Sequence, residues 1–439
     1  MISSWRRIRR TRAQGVKVDA AAEVSVPTHF RCPISLDLMK DPVTLSSGIT
    51  YDRESIEAWM DAGNRTCPVS NMVLRSLDPV PNHAVRKMIQ EWCVENRLLG
   101  IERIPTPRIP ISQSDAREMV TRVASAVERK DWGLCKEMAA KVHRVVKESE
   151  RNRRCVRSSG AGAVLARSFE ELSRTSGFEE NSSALEEILS TMTAILPLGC
   201  DAQSSLGSAD SLRALAWLMQ SGNLSARRNS VLSIREVVSG NKQRVSALSL
   251  TEGSTSALLK LIKEPICPVS TKSSLVVIYY MVTLDHPLRE KVASEFSNAG
   301  LVSLLLEALV DADRSVCEKA LGVLDGMCDA EEGRKSLILH PLASPLLVKK
   351  LLRVSDLASE FAVSTLWKLG RVDKGGEERF LGEMVELGAF QKLLVLLQVG
   401  CGDTTKEKAT ELLKSLNARR ETMSECNDNH DFGVLKRPR

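Results

Sequence analysis

Aromatic residues are scarce in this chain, at 4% of 439 positions. Its cores therefore have to be aliphatic, filled by leucine, valine, isoleucine and alanine. No apolar run approaches the roughly 18 residues that a bilayer-spanning helix needs, which excludes such a helix. No short apolar stretch follows a basic start in the manner of a secretory signal. The eleven cysteines never stand at CxxC spacing, and their number is odd. They read as reduced thiols of a cytoplasmic protein, mostly small core residues. A general excess of positive charge is missing too. The formal net charge is +6, from 61 Lys and Arg against 55 Asp and Glu. Arg6, Arg7, Arg9, Arg10, Arg12 and Lys17 all fall in residues 1–18, which hold no acid, so the remainder balances at 55 against 55. A neutral body has nothing with which to hold a polyanion, so nucleic acid is not an expected partner.

The length suits two to three domains. Residues 1–26 form a basic arm, read as solvated and disordered; nuclear localisation and membrane-surface association are its minor readings. Residues 27–99 mix strand and helix signals. Residues 100–113 carry Pro105, Pro107 and Pro110 and read as a semi-rigid connector. Residues 114–417 have helical periodicity almost throughout, and the polar tail 418–439 is expected to be disordered.

The helical region repeats. Windows beginning at Ala209, Gly253, Gly300, Ala343 and Gly388 each open on a small residue and end in an aliphatic run. A weaker copy begins at Ala163, and each of the five windows is followed by a second amphipathic segment. A helical repeat of about 43–47 residues lies in the armadillo/HEAT range. One helix pair cannot bury two apolar faces alone, so neighbours stack into a solenoid with a long binding surface.

In residues 29–93, Val43, Leu45 and Ile49 flank Ser46-Ser47-Gly48, a hairpin signal. Asp52 is placed to cap a helix from Arg53 to about Ala62, with Tyr51 and Ile56 as its staple and Gly63 as its stop. Asn82 caps a second helix whose apolar stripe is Val85, Met88, Ile89 and Trp92. Trp92, Trp217 and Trp367 are expected in cores. Two Cys-Pro turns, Cys32-Pro33-Ile34 and Cys67-Pro68-Val69, bracket the hairpin and first helix. They suggest a zinc-binding RING, but two structural zinc ions need eight ligands. Between residues 27 and 92 only Cys32, Cys67, His29 and His83 are available, so no metal is expected, and no other cofactor either.

The stretch FRCPISLDLMKDPVTLSSGITYDRESIEAW, followed by CPVSN and PNHAVRKMIQEWC, resembles a plant U-box. With the repeats, the chain resembles the plant U-box/armadillo ubiquitin ligases linked to defence and stress signalling. The resemblance implies a small metal-free α/β box of RING shape followed by an all-α armadillo solenoid. It implies partners as well: a conjugating enzyme charged with ubiquitin, docked by the box, and a protein substrate held on the repeats. A substrate lysine then attacks the thioester; the box contributes proximity and orientation, with no covalent catalytic residue. Within the box, Ile34 matches the first-loop residue that inserts into the conjugating enzyme, beside Cys32 and Pro33. Pro68 matches the second-loop proline, and Trp59 the aromatic floor of the groove. Asn71 stands where some relatives place a longer cationic donor to ubiquitin. Asp37, Asp41, Arg53, Glu54 and Asn82 are candidates for the polar network that stands in for zinc. Pairing of boxes into a homodimer stays open. The rival reading is a non-catalytic armadillo scaffold whose box only dimerises. Lys368 replaces an asparagine common on groove helices, so a groove of mixed charge that meets a protein surface is expected.

Overall fold

The computed structural model describes residues 25–104, 111–175, 177–371 and 376–428. The arginine-rich arm up to residue 24, the prolines at 105–110 and the residues after 428 lie outside it. The chain divides into two compact units, one on either side of segment 105–110.

The first unit holds the expected hairpin. Strand β1 (Pro42–Thr44) pairs antiparallel with β2 (Thr50–Asp52), in register Val43 with Tyr51, across a turn in which Gly48 has φ +81°. Helix α1 (Arg53–Asp61) follows at once. A short β3 (Val80–Pro81) joins the other edge of β1 and leads into α2 (His83–Glu95). Asn82 caps α2 through Val85 N–H, 3.0 Å from its Oδ1. Asp52 does not cap α1, because its carboxylate is engaged elsewhere. The core is small: Phe30, Met39, Val43, Tyr51, Ile56 and Ile89 fill it, with Cys32 and Cys67. Trp92 packs at its margin, whereas Met88, expected on the same stripe, is exposed. Ile101 and Ile104 also pack on this core, and Gln90 Nε2 donates to Ile104 O. The unit thus runs past the expected boundary at 99 into what reads from sequence as connector.

The second unit is helical. It opens with α3 (Gln113–Glu128), α4 (Trp132–Glu148), α5 (Glu150–Ser158), α6 (Ala161–Ser173) and α7 (Ser182–Ala194). Triplets follow: α8 (Cys200–Leu206), α9 (Ala209–Ser221) and α10 (Leu224–Val238); then α11 (Lys242–Leu250), α12 (Ser254–Lys263) and α13 (Pro268–Val282). Next come α14 (Leu288–Asn298), α15 (Leu301–Asp311) and α16 (Arg314–Met327), then α17 (Glu331–Leu339), α18 (Ala343–Lys350) and α19 (Asp356–Leu369). The last triplet is α20 (Gly376–Glu386), α21 (Ala389–Val399) and α22 (Asp403–Asp428). The repeat windows begin within a residue of α9, α12, α15, α18 and α21. Gly253, Gly300 and Gly388 sit at these junctions with φ of +76°, +81° and +74°, a conformation that glycine adopts without a Cβ clash. The short first helices, α8 with 7 residues and α11 and α17 with 9 each, escape the sequence periodicity because two turns show too little of it.

The packing is layered. The second helices form one row, α6–α9–α12–α15–α18, and the third helices another, α7–α10–α13–α16–α19–α22. An almost wholly aliphatic core lies between them. Two expectations need correction. The last helix continues to Asp428 instead of ending near 417. Trp367 is half-buried at the surface, not in the core: its Nε1 donates to Glu411 at 2.7 Å, and the Arg371 guanidinium lies 4.5 Å from its ring centroid. Among the described residues no single helix is long and apolar enough to cross a membrane.

Close approach within the third-helix row depends on Gly326. A Cβ there would lie 2.6 Å from Val282 Cγ2, so α13 and α16 would have to separate. Gly326→Val should lower the unfolding free energy by about 1–3 kcal/mol, read from the urea midpoint of the full chain.

Candidate functional site

The two Cys-Pro turns fold alike. In the first, Leu36 N–H donates to Cys32 O and Cys32 N–H to Asp37 O, both at 2.8 Å. In the second, Asn71 N–H donates to Cys67 O and Cys67 N–H to Met72 O, both at 2.9 Å. Leu36 and Asn71, four residues beyond their cysteines, take positive φ of +61° and +55°. An isolated bridge closes each loop, Arg31 with Leu38 and Thr66 with Val73.

Adjacent residues of β2 anchor both loops. Asp52 N–H donates to Cys32 Sγ at 3.3 Å, and Asp52 Oδ1 accepts from Lys40 N–H and Asp41 N–H at 2.8 Å each. Tyr51, fully buried, places its hydroxyl 3.0 Å from Cys67 Sγ, where it also accepts from Val69 N–H at 3.4 Å. These contacts mark the thiols. Burial opposes ionisation of Cys67, but the polar groups of Ser47, Ser70 and Tyr51 around its sulfur, of which Tyr51 O–H and Ser70 N–H are within hydrogen-bond distance, outweigh it and bring its pKa down to about 6. Burial opposes ionisation of Cys32 as well, and the N–H groups of Ser35, Asp52 and Ile34 turn the balance downward. Burial and the Cys67 contact push the Tyr51 phenol upward. Both sulfurs are hydrogen-bond acceptors at the hearts of their loops, and neither is exposed to attack anything. Sequence reasoning treats Cys67 as inert packing and sees only a staple in Tyr51.

A second cluster ties the helices to this frame. Arg53 Nε donates to Asp41 Oδ2 at 2.6 Å, and Arg86 from α2 donates to Asp41 Oδ1. One carboxylate thus clamps α1 and α2, with Glu57 3.8 Å from Arg53 on the outer side. Asn82 completes the network, donating from Nδ2 to the hydroxyls of Thr44 and Thr50 at 3.1 and 3.2 Å. Two candidates stay outside it. Glu54 is exposed in the first turn of α1, and Asp37 is exposed and contributes its backbone carbonyl. Arg86 is absent from the sequence reading because its partner lies 45 residues away.

The loops hold apolar side chains out to solvent. Ile34 is 37% and Leu36 68% exposed on the first; Val69 is 56% and Met72 60% exposed on the second. Pro33 and Asn71 are exposed and Pro68 is half-buried. Trp59, half-buried on α1, donates from Nε1 to Thr66 O at 2.9 Å, one residue before Cys67. Asn64 Nδ2 in turn donates to Trp59 O at 3.0 Å. Leu36, Val69 and Met72 are additions to the sequence candidates; the signal for them is an apolar residue near a Cys-Pro turn that no strand or helix can bury.

Among the described residues no three His, Cys, Asp or Glu side chains converge to hold a metal. Thiol, phenol and backbone N–H groups hold the two loops, and one carboxylate between two guanidinium groups ties α1 to α2. That arrangement defines a U-box, and the helical unit is an armadillo array. The profile for the U-box domain matches residues 26–98, and that for the plant U-box protein ARM repeat region matches 116–435. The chain belongs to the plant U-box proteins with ARM repeats. It is 46% identical to U-box domain-containing protein 21 of Arabidopsis thaliana, over 95% of this chain and 94% of that one. It is 33% identical to the E3 ubiquitin-protein ligase PUB23 of the same plant, over 90% and 94% of the two chains. A solved structure from work on a phosphorylation switch between cadherin and beta-catenin shares the fold, with TM-score 0.52 and 16% identity, over 84% of this chain and 61% of that one.

Hydrogen bonds to a charged group are worth about 1.5–3 kcal/mol. Asp41→Ala should therefore lower the stability of the first unit by about 2–3 kcal/mol, followed by thermal unfolding. Adding EDTA to the wild-type chain should leave the same transition in place, and total metal analysis should find no stoichiometric zinc.

Proposed function

We infer that the chain is an E3 ubiquitin transferase whose box docks a ubiquitin-charged conjugating enzyme through the two Cys-Pro loops. The exposure of Ile34, Leu36, Val69 and Met72 on loops fixed by buried and partly buried hydrogen bonds carries this reading. Apolar side chains on mobile loops would cost ordering entropy on docking; here the fold has already ordered them. Trp59 forms the floor between them, with its polar edge satisfied within the box. Nothing in this arrangement needs to ionise or form a covalent bond. The box restrains the thioester-linked ubiquitin, and a lysine of a protein held by the repeats attacks the thioester carbon. The amide forms there, and the conjugating-enzyme thiol leaves. Asn71, on the rim of the second loop, reaches less far toward ubiquitin than a cationic side chain would. The cytoplasm, and plant defence or stress signalling, are the setting implied by the family resemblance.

Discharge of ubiquitin from a charged conjugating enzyme to free lysine tests the docking surface. Ile34→Ala and Trp59→Ala should each cost about 2 kcal/mol of docking free energy, roughly a thirtyfold loss in rate at subsaturating chain, with the unfolding temperature of Ile34→Ala unchanged. Full activity in both variants would remove these loops from the reaction and favour a scaffold whose box serves another purpose.

A further inference from the structure

The row of third helices is not uniform along its length. At α16 two residues of its neighbours meet above it: Tyr279 of α13 and Phe361 of α19 pack edge to face with ring centroids 6.0 Å apart. They meet there because position 322 is glycine; a Cβ would lie 3.1 Å from Phe361 Cε2. Beside this aromatic bridge a pocket of about 140 Å³ opens to solvent, with Val276, Leu275 and Leu357 as further apolar walls. Small-molecule sites enclose about 300–1,000 Å³, so this one holds a single large side chain and little more. Leu357, 46% exposed at its edge, is an apolar residue that the fold leaves uncovered.

Around the pocket three carboxylates, Glu318, Asp325 and Asp329, stand against two ammonium groups, Lys319 and Lys368. Lys368 bridges Asp325 and Asp329 at 2.9 and 2.8 Å, one cation between two carboxylates, and Lys319, which lines the pocket beside Glu318, turns its Nζ back to the Ser315 hydroxyl at 3.0 Å. Glu318, which lines the pocket, has no cation partner among the described residues. An apolar cup beside an unpaired carboxylate selects for a greasy anchor with a cation next to it. Lys368 stands at the asparagine position of a groove helix, and here it ties α19 to α16 instead of facing a ligand backbone.

We propose that this pocket is a specificity site for the protein to be modified. It takes one leucine, isoleucine, methionine or phenylalanine side chain from an exposed segment of the partner, with an adjacent lysine or arginine paired to Glu318. The inference rests on the reading that the repeats hold the substrate. Random peptides displayed on phage and selected on the immobilised full-length chain provide the probe; a labelled enriched peptide is then titrated by fluorescence polarisation. Enriched peptides should share one large apolar residue beside a cation. Phe361→Ala should weaken the labelled peptide by about tenfold or more. Glu318→Gln should weaken it by about fivefold and abolish the preference for the cation. Should Phe361→Ala prove unfolded by circular dichroism, the surface variant Glu318→Gln decides. The proposal is overturned if no peptide is enriched, if enriched peptides lack the apolar anchor, or if Glu318→Gln leaves affinity and selectivity unchanged. Ubiquitin discharge measured on the same preparation separates the two readings: a chain that discharges ubiquitin yet captures no such peptide loses the pocket and keeps the box.

Discussion

Two neighbouring residues, Tyr51 and Asp52, hold the working surface of the box together. They are adjacent on β2, and each one fastens a different loop. The Tyr51 hydroxyl meets Cys67 and Val69, while Asp52 meets Cys32 through its N–H and the segment Lys40–Asp41 through its carboxylate. A zinc ion could impose such geometry by coordination; in this chain hydrogen bonds to a strand do so. The Tyr51–Cys67 contact is buried and those to Val69, Cys32 and Asp41 are partly buried, and a buried polar group that loses its partner is penalised far more than an exposed one. The loops are therefore held in one arrangement, and their apolar residues stay exposed without being loose.

The chemistry follows from that rigidity. Ubiquitin transfer from a thioester needs an acceptor amine near the carbonyl and a donor that cannot swing away. A protein that supplies both by binding needs no nucleophile of its own. The buried thiols and the Asp41 clamp hold the loops in shape without entering the reaction. The helical unit supplies a different quality, a long row of third helices whose exposed faces vary from repeat to repeat while the buried faces stay aliphatic.

Much of this was legible in the sequence, for definable reasons. Stacked repeats reuse one pattern of small residue and aliphatic run, so the windows at Gly253, Gly300 and Gly388 mark helix starts closely. The cap at Asn82 could be read because its partner, Val85 N–H, is three residues away. The cap at Asp52 failed on the same local logic: two backbone N–H groups from the preceding loop compete for its carboxylate, and nothing local reveals them. Asp41 and Arg53 could be proposed as network members, but Arg86 could not, being far along the chain. Asp37 and Glu54 have the right chemistry in the wrong places, since residue type does not tell which acid faces inward. The aromatic bridge over Gly322 joins helices two repeats apart, a contact that no periodicity encodes.

Hydrogen–deuterium exchange of the full chain, alone and with a ubiquitin-charged conjugating enzyme, tests the central claim most directly. The account predicts new protection in the segments 32–38 and 67–73 and in the outer turn of α1 around Trp59. Protection elsewhere in the chain, with both loops exchanging as they do alone, would contradict it.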